Sequence, residues 1–207
     1  MPEKVIALDI GKVILDYNLE ALFQSIAEVF TTTAERVREV WCDKKIQRDS
    51  DSGLSKEEIF RNFSKHLGVA NQREFFDAFM YGARFSLLDG FIPFRDTLCT
   101  HNKKVIALSN VNAFHAHYFE LHLTHILEPL IPREFHFFSC RIGALKGESS
   151  EHFHAIGEKI GIPPADIILI DDMPENIRGI QAAGGEGILF AGNYNEVLRI
   201  LHERGHL

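Results

Sequence analysis

Five short apolar runs punctuate the chain: Val5-Ile6-Ala7-Leu8, Val105-Ile106-Ala107-Leu108, Phe135-His136-Phe137-Phe138, Ile167-Ile168-Leu169-Ile170 and Gly187-Ile188-Leu189-Phe190. Most are apolar at successive positions, the pattern of strands covered on both faces, as in a parallel sheet. Parallel strands need crossovers, and the helical stretches between the runs suit that task. The expectation is an α/β fold, a doubly wound Rossmann-like parallel sheet of about five core strands. With 207 residues, 45% of them hydrophobic, the chain can bury such a core and still carry a smaller unit.

The first two runs lie roughly ninety residues apart, where a crossover needs a dozen or two. From about Leu19 to Phe85 the spacing is helical, first in Leu22, Ile26, Val29 and Phe30, then in Ile59, Phe60, Phe63 and Leu67. Ser55 and Glu58 form a predicted capping box for the second helix, after a turn at Asp51-Ser52-Gly53. This reads as a small helical cap inserted after the first strand. It spans 17–88, with linkers near Asp16–Asn18 and Ser86–Phe91, and leaves 1–16 and 89–207 as the core.

A net charge of -7, from 22 basic and 29 acidic residues, offers no field for nucleic acid or an anionic membrane. An anionic ligand must be held by local groups. Three widely spaced cysteines, Cys42, Cys99 and Cys140, predict reduced thiols that mostly fill the core, and a cytoplasmic protein. The apolar run within residues 1–15 is too short to span a membrane and lacks a cleavage signature, so no signal peptide is expected. His115, His117, His122 and His125 cluster in sequence without the spacing of a zinc site and are expected at the surface or as caps. The 17 phenylalanines are expected to pack the core and the cap-core seam, with a few near a pocket. Gly184-Gly185-Glu186-Gly187 precedes a strand, which argues against a phosphate loop.

Ligands of open α/β sheets bind beyond the carboxyl ends of the strands. Those ends are polar here: Asp9 after the first run, Ser109-Asn110 after the second and Asp171-Asp172 after the fourth, with Lys146 in the loop after the third. Three carboxylates at one sheet edge are costly unless a cation lies between them, and an all-oxygen set suits Mg²⁺. A helix N-cap would explain Ser109 or Asp172 singly but not the complementary set.

As written in VIALDIGKVILD, VIALSN, LKGE and IILIDDMPEN, these segments resemble the four motifs of the haloacid dehalogenase-like hydrolase superfamily, over nearly the whole chain. DSGLSKEEIF is similar to a cap segment of its phosphatase-like branch, and the pattern resembles that of bacterial α-D-glucose-1-phosphate phosphatase. The resemblance implies a Mg²⁺-dependent phosphomonoester hydrolase acting on a small phosphorylated metabolite through an aspartyl-phosphate. Asp9 would be the nucleophile. Ser109 and the backbone N–H of Asn110 would hold the phosphoryl oxygens, while Lys146 neutralises them and orients Asp9. Asp9, the Gly11 carbonyl and Asp172 would hold Mg²⁺, with Asp171 as ligand or support, and Asn176 also fits the family spacing.

The chain departs from the family in three places. Two residues after the nucleophile the family's phosphatases carry a second Asp as general acid, but this chain has Gly11. Loss of such an acid costs about 10²- to 10⁴-fold in rate. Asp16 is either a substitute, if its loop folds back, or a linker carboxylate. Lys12, where the family has a small residue, is a solvated lysine, a partner of Asp16 or a phosphate contact. Gly147, in place of the family's proline, is expected to loosen the loop after Lys146. Two other functions compete: a metal-free 2-haloacid dehalogenase using the same nucleophile, and a catalytically weak phosphate-binding or regulatory protein. Trp41, Arg48 and Phe85 are candidate specificity residues of the cap.

Overall fold

The computed structural model describes residues 4–42 and 44–207. In chain order it contains β1 (Val5–Leu8), β2 (Leu15–Asp16), α1 (Leu19–Phe30), α2 (Ala34–Cys42), α3 (Lys44–Asp51), α4 (Lys56–Leu67), α5 (Gln72–Tyr81) and β3 (Ser86–Leu87). There follow α6 (Phe91–Thr100), β4 (Val105–Ser109), α7 (Ala113–His122), α8 (Thr124–Leu127), β5 (His136–Phe138), α9 (Ser139–Ile142), α10 (Ser150–Ile160), β6 (Ile167–Asp171), α11 (Pro174–Ala182), β7 (Glu186–Leu189) and α12 (Tyr194–Glu203).

The five apolar runs form one parallel sheet of order β5-β4-β1-β6-β7. β1 lies at its centre, with Ile6 opposite both Val105 and Ile168. β1, β4 and β6 are buried throughout, as continuous apolar strands should be. β5 and β7 are edge strands and only partly buried. Alternation sends Ile6 and Leu8 to one face, with Phe91, Phe94 and Leu98, and Val5 and Ala7 to the other, with Phe153, Ile156 and Ile180. The chain runs from β1 outward through β4 to β5, then returns to the other side for β6 and β7. That reversal places a crevice beyond the carboxyl ends of β4, β1 and β6.

Helices α1 to α5 occupy the long interval between β1 and β4. Asn18 caps α1 by accepting from the Ala21 N–H. Ser55 and Glu58 make both halves of the capping box on α4. The interior of this layer is aromatic: Phe63, Phe75 and Phe79 are fully buried, and Phe114 of α7 stacks on Phe79 with ring centroids 4.7 Å apart. The helices therefore share their core with the sheet domain. The chain enters and leaves this layer through an antiparallel ribbon, Leu15 opposite Leu87 and Asp16 opposite Ser86, which apolar periodicity did not reveal. No helix among the described residues is long and apolar enough to cross a membrane.

Candidate active site

Lys146 organises the floor of the crevice. Its side chain is almost wholly buried, and its ammonium lies 2.9 Å from Asp9 Oδ1 and 2.5 Å from Asp171 Oδ2. Burial alone would depress the Lys146 pKa, but Asp171 and Asp9 together outweigh it and hold the ammonium above its ordinary value. The Lys146 backbone is fixed by Asn110, whose side chain donates to the Lys146 carbonyl at 3.0 Å and accepts from its N–H at 2.8 Å. Gly147 does not loosen this loop. A Cβ there would come 2.5 Å from His152 Nδ1, and one on Gly179 of α11 would come 1.9 Å from the Gly147 carbonyl, so glycine permits a tight contact with α11.

The adjacent carboxylates Asp171 and Asp172 have different surroundings. Asp171 is fully buried and saturated: besides Lys146 it accepts from Asn176 Nδ2 at 3.0 and 3.1 Å and from the Met173 N–H at 2.9 Å. Asp172 is half-buried and lines the cavity. Burial pushes its pKa up to about 6, with help from Asp9 and Asp171. Burial also raises the Asp9 pKa, and Asp171 adds to this, against Lys146 and the Ser109 hydroxyl. Asp9, Asp171 and Asp172 each present an oxygen within 4.8 Å of the others. Two clustered carboxyls that resist ionisation fit a divalent cation, which would favour their charged forms. With Asp171 committed elsewhere, Asp172 and the Asp9 oxygen not paired with Lys146 are the groups left to bind it. Among the described residues no histidine cluster offers a comparable site.

The loop after β1 resolves the alternatives for Lys12 and Asp16. Lys12, in a left-handed conformation with φ 57°, pairs with Asp16 and donates to the Tyr17 carbonyl at 3.2 Å. Asp16 is exposed, accepts from the Tyr17 N–H at 2.8 Å and does not line the cavity. Both residues hold Tyr17, whose ring sits so close to Gly11 that a Cβ there would be 3.1 Å from Tyr17 Cε1. Burial, and then the Asp172 and Asp9 carboxylates, push the Tyr17 phenol up to about 12.

The crevice opens into a cavity of about 480 Å³ lined by Asp9, Ser109, Lys146 and Asp172 below and by Tyr17, Trp41, Gln47, Asp51 and Phe85 above. Trp41 and Phe85 thus stand where the cap candidates were expected. Arg48 does not: it is exposed and outside the lining, and its neighbour Gln47 is present instead. Sequence reading missed Tyr17, Gln47, Asp51 and His115. Asp51 was visible only as a turn residue, yet burial raises its carboxyl pKa to about 7. His115 is neither a surface nor a capping residue. It is buried between Phe79 and Phe85, and burial lowers its pKa to about 4, so it is neutral. Cys42 is likewise exposed, not core filler.

No protein-family model matches the sequence, and no curated protein matches it significantly. Solved structures do resemble it. A HAD family enzyme, bt-2542, from Bacteroides thetaiotaomicron, in complex with magnesium and inorganic phosphate, superposes with a TM-score of 0.76 at 20% identity over 95% of this chain and 100% of that one. A predicted HAD-like family hydrolase from Porphyromonas gingivalis gives 0.74 at 21% identity over 99% and 98%. A HAD family hydrolase from Deinococcus radiodurans R1, with bound phosphate and sodium, gives 0.57 at 15% over 100% and 98%. The match extends through sheet and inserted helices alike, and the chain has the haloacid dehalogenase-like hydrolase fold.

Proposed function

We propose that the protein is a Mg²⁺-dependent phosphomonoester hydrolase that acts on a small phosphorylated metabolite through an aspartyl-phosphate on Asp9. The observation that carries this reading is the convergence of Asp9, after β1, and of Asp171 and Asp172, at the end of β6, on Lys146 from the loop between α9 and α10. The bt-2542 enzyme, similar in fold, was crystallised with magnesium and inorganic phosphate, which supports the same pairing of ligands here. Asp9 Oδ attacks phosphorus in line, the ester P–O bond breaks, and water then hydrolyses the acyl phosphate. Lys146 holds Asp9 in position and balances phosphoryl charge, and Ser109 with the Asn110 N–H binds phosphoryl oxygens. Asp9, Asp172 and the Gly11 carbonyl would hold Mg²⁺, with Asp171 and Asn176 supporting Lys146. When bound, the ion screens the phosphate dianion from the carboxylate nucleophile.

The pocket disfavours a 2-haloacid. Such a substrate would be used without metal, and its carboxylate would then face Asp171 and Asp172 with no cation among the described lining residues other than Lys146 to offset them. Phosphate release from p-nitrophenyl phosphate, with Mg²⁺ and with EDTA, tests the proposal. Mg²⁺-dependent turnover is expected, with a loss of about 10³-fold or more in Asp9→Asn. Turnover that survives EDTA, or an unimpaired Asp9→Asn, would overturn it; no turnover at all would favour the binding or regulatory reading.

A further inference from the structure

We infer that Tyr17 takes the place of the acid missing at Gly11, its phenolic hydroxyl donating to the leaving-group oxygen of the phosphate ester. The inference rests on the phosphatase reading above. Four observations on the residues of this loop carry it.

First, the volume beside Gly11 is filled. A side chain there would meet the Tyr17 ring at its first carbon, 3.1 Å away, closer than ordinary contact, so an acid at position 11 would have to push this ring aside. Second, Tyr17 lines the same cavity as Asp9, Ser109 and Asp172, where the ester would bind. Third, the ring is held on several sides. Lys12 Nζ lies 4.6 Å from its centroid, Phe85 packs edge-on at 6.2 Å, and Asp16 and Lys12 bond the Tyr17 backbone N–H and carbonyl. That clamp gives the unusual Lys12-Asp16 pair a purpose. Fourth, among the described residues no group hydrogen-bonds the Tyr17 hydroxyl, whereas the hydroxyl of the more buried Tyr194 is bound to the Val13 carbonyl at 2.5 Å. Tyr17 is half-buried and its hydroxyl is not sealed from solvent, so it is free to donate to a ligand in the cavity.

The step balances without a further reactant. As the Asp9 Oδ–P bond forms, the ester P–O bond breaks and its electron pair leaves with the oxygen. That oxygen takes the Tyr17 proton, and the phenolate recovers one from water. A tyrosine carries this proton at neutral pH and is a stronger acid than an aliphatic alcohol, so transfer to a leaving alkoxide is downhill.

The test compares Tyr17→Phe with wild type on two esters of similar shape, in Mg²⁺. Benzyl phosphate expels an alkoxide that needs a proton; p-nitrophenyl phosphate expels a phenolate that does not. In Tyr17→Phe we expect kcat on benzyl phosphate to fall by about 10²-fold with KM little changed, and kcat on p-nitrophenyl phosphate to fall by less than about threefold. Equal losses on both esters would make Tyr17 a packing residue and overturn the inference, as would no loss on either. A wild type that cleaves p-nitrophenyl phosphate but not benzyl phosphate also overturns it. If wild type cleaves neither, the phosphatase reading itself fails, and this inference fails with it.

Discussion

The floor and the roof of the cavity are built differently. On the floor, Asp9, Ser109 and Asp171 stand at or one residue beyond strand ends, and the buried carboxylates are tied to Lys146 and Asn176. On the roof, Trp41, Gln47 and Asp51 come from helices packed through aromatic rings, and no side chain among the described residues bonds the Asp51 carboxylate. The floor is fixed before any ligand arrives, as catalysis by positioned charge requires. The roof leaves the Asp51 carboxyl facing an open space without a side-chain partner among the described residues.

The largest expected effect comes from breaking the floor. Lys146→Met keeps the length of the side chain but leaves Asp9 and Asp171 without their cation. Removing one partner of a buried ion pair costs about 3–5 kcal/mol. Phosphatase activity should also fall by about 10³-fold, a loss typical of removing one donor to developing charge. Urea unfolding beside the activity assay checks both. A variant as stable as wild type would show that the floor is not preorganised by this lysine.

Phe79→Ala attacks the roof. Phe79 is fully buried, stacks on Phe114 across the seam and packs edge-on against Trp41 at 5.5 Å. Truncating such a ring costs about 3–4 kcal/mol. The loss should be uneven: amide hydrogen exchange should rise in α4 and α5 while β1, β4 and β6 keep their protection. Uniform loss of protection would mean that floor and roof unfold as one unit.

The same division governs what was legible in the sequence. A buried strand is a run of apolar residues that stops where the sheet stops, so Asp9, Ser109 and Asp171 could be read from order alone. Lys146 needed a motif, because its role depends on a loop folding back under β4, β1 and β6. The roof depends on which helix faces meet the sheet, and spacing within a helix does not say. Gln47 and Arg48 are adjacent and both polar, and only packing decides that Gln47 faces the cavity. Tyr17 was hidden for another reason. Its position follows from the Lys12-Asp16 pairing and a left-handed residue, a local conformation that periodicity cannot register.

The smallest effect separates the roof's unsatisfied carboxyl from the floor's paired ones by pH. Burial raises the Asp51 pKa from 3.8 to about 7, with no cation among the described residues to oppose it. The native state therefore keeps a proton that the unfolded chain loses above about pH 4. Stability from this group is full below that pH, declines as pH rises toward 7 and is lost above it. The whole displacement corresponds to about 4 kcal/mol. Because the carboxyl borders an open cavity, solvent reduces this to about 2 kcal/mol. Asp51→Asn removes the titration. It should match wild type near pH 4 and exceed it by about 2 kcal/mol at pH 8, in urea unfolding at the two pH values. For a floor carboxyl paired with a buried lysine the sign reverses, since removing it strands the cation. A destabilised Asp51→Asn at pH 8 would thus place Asp51 with the paired groups of the floor and erase the distinction between the two walls.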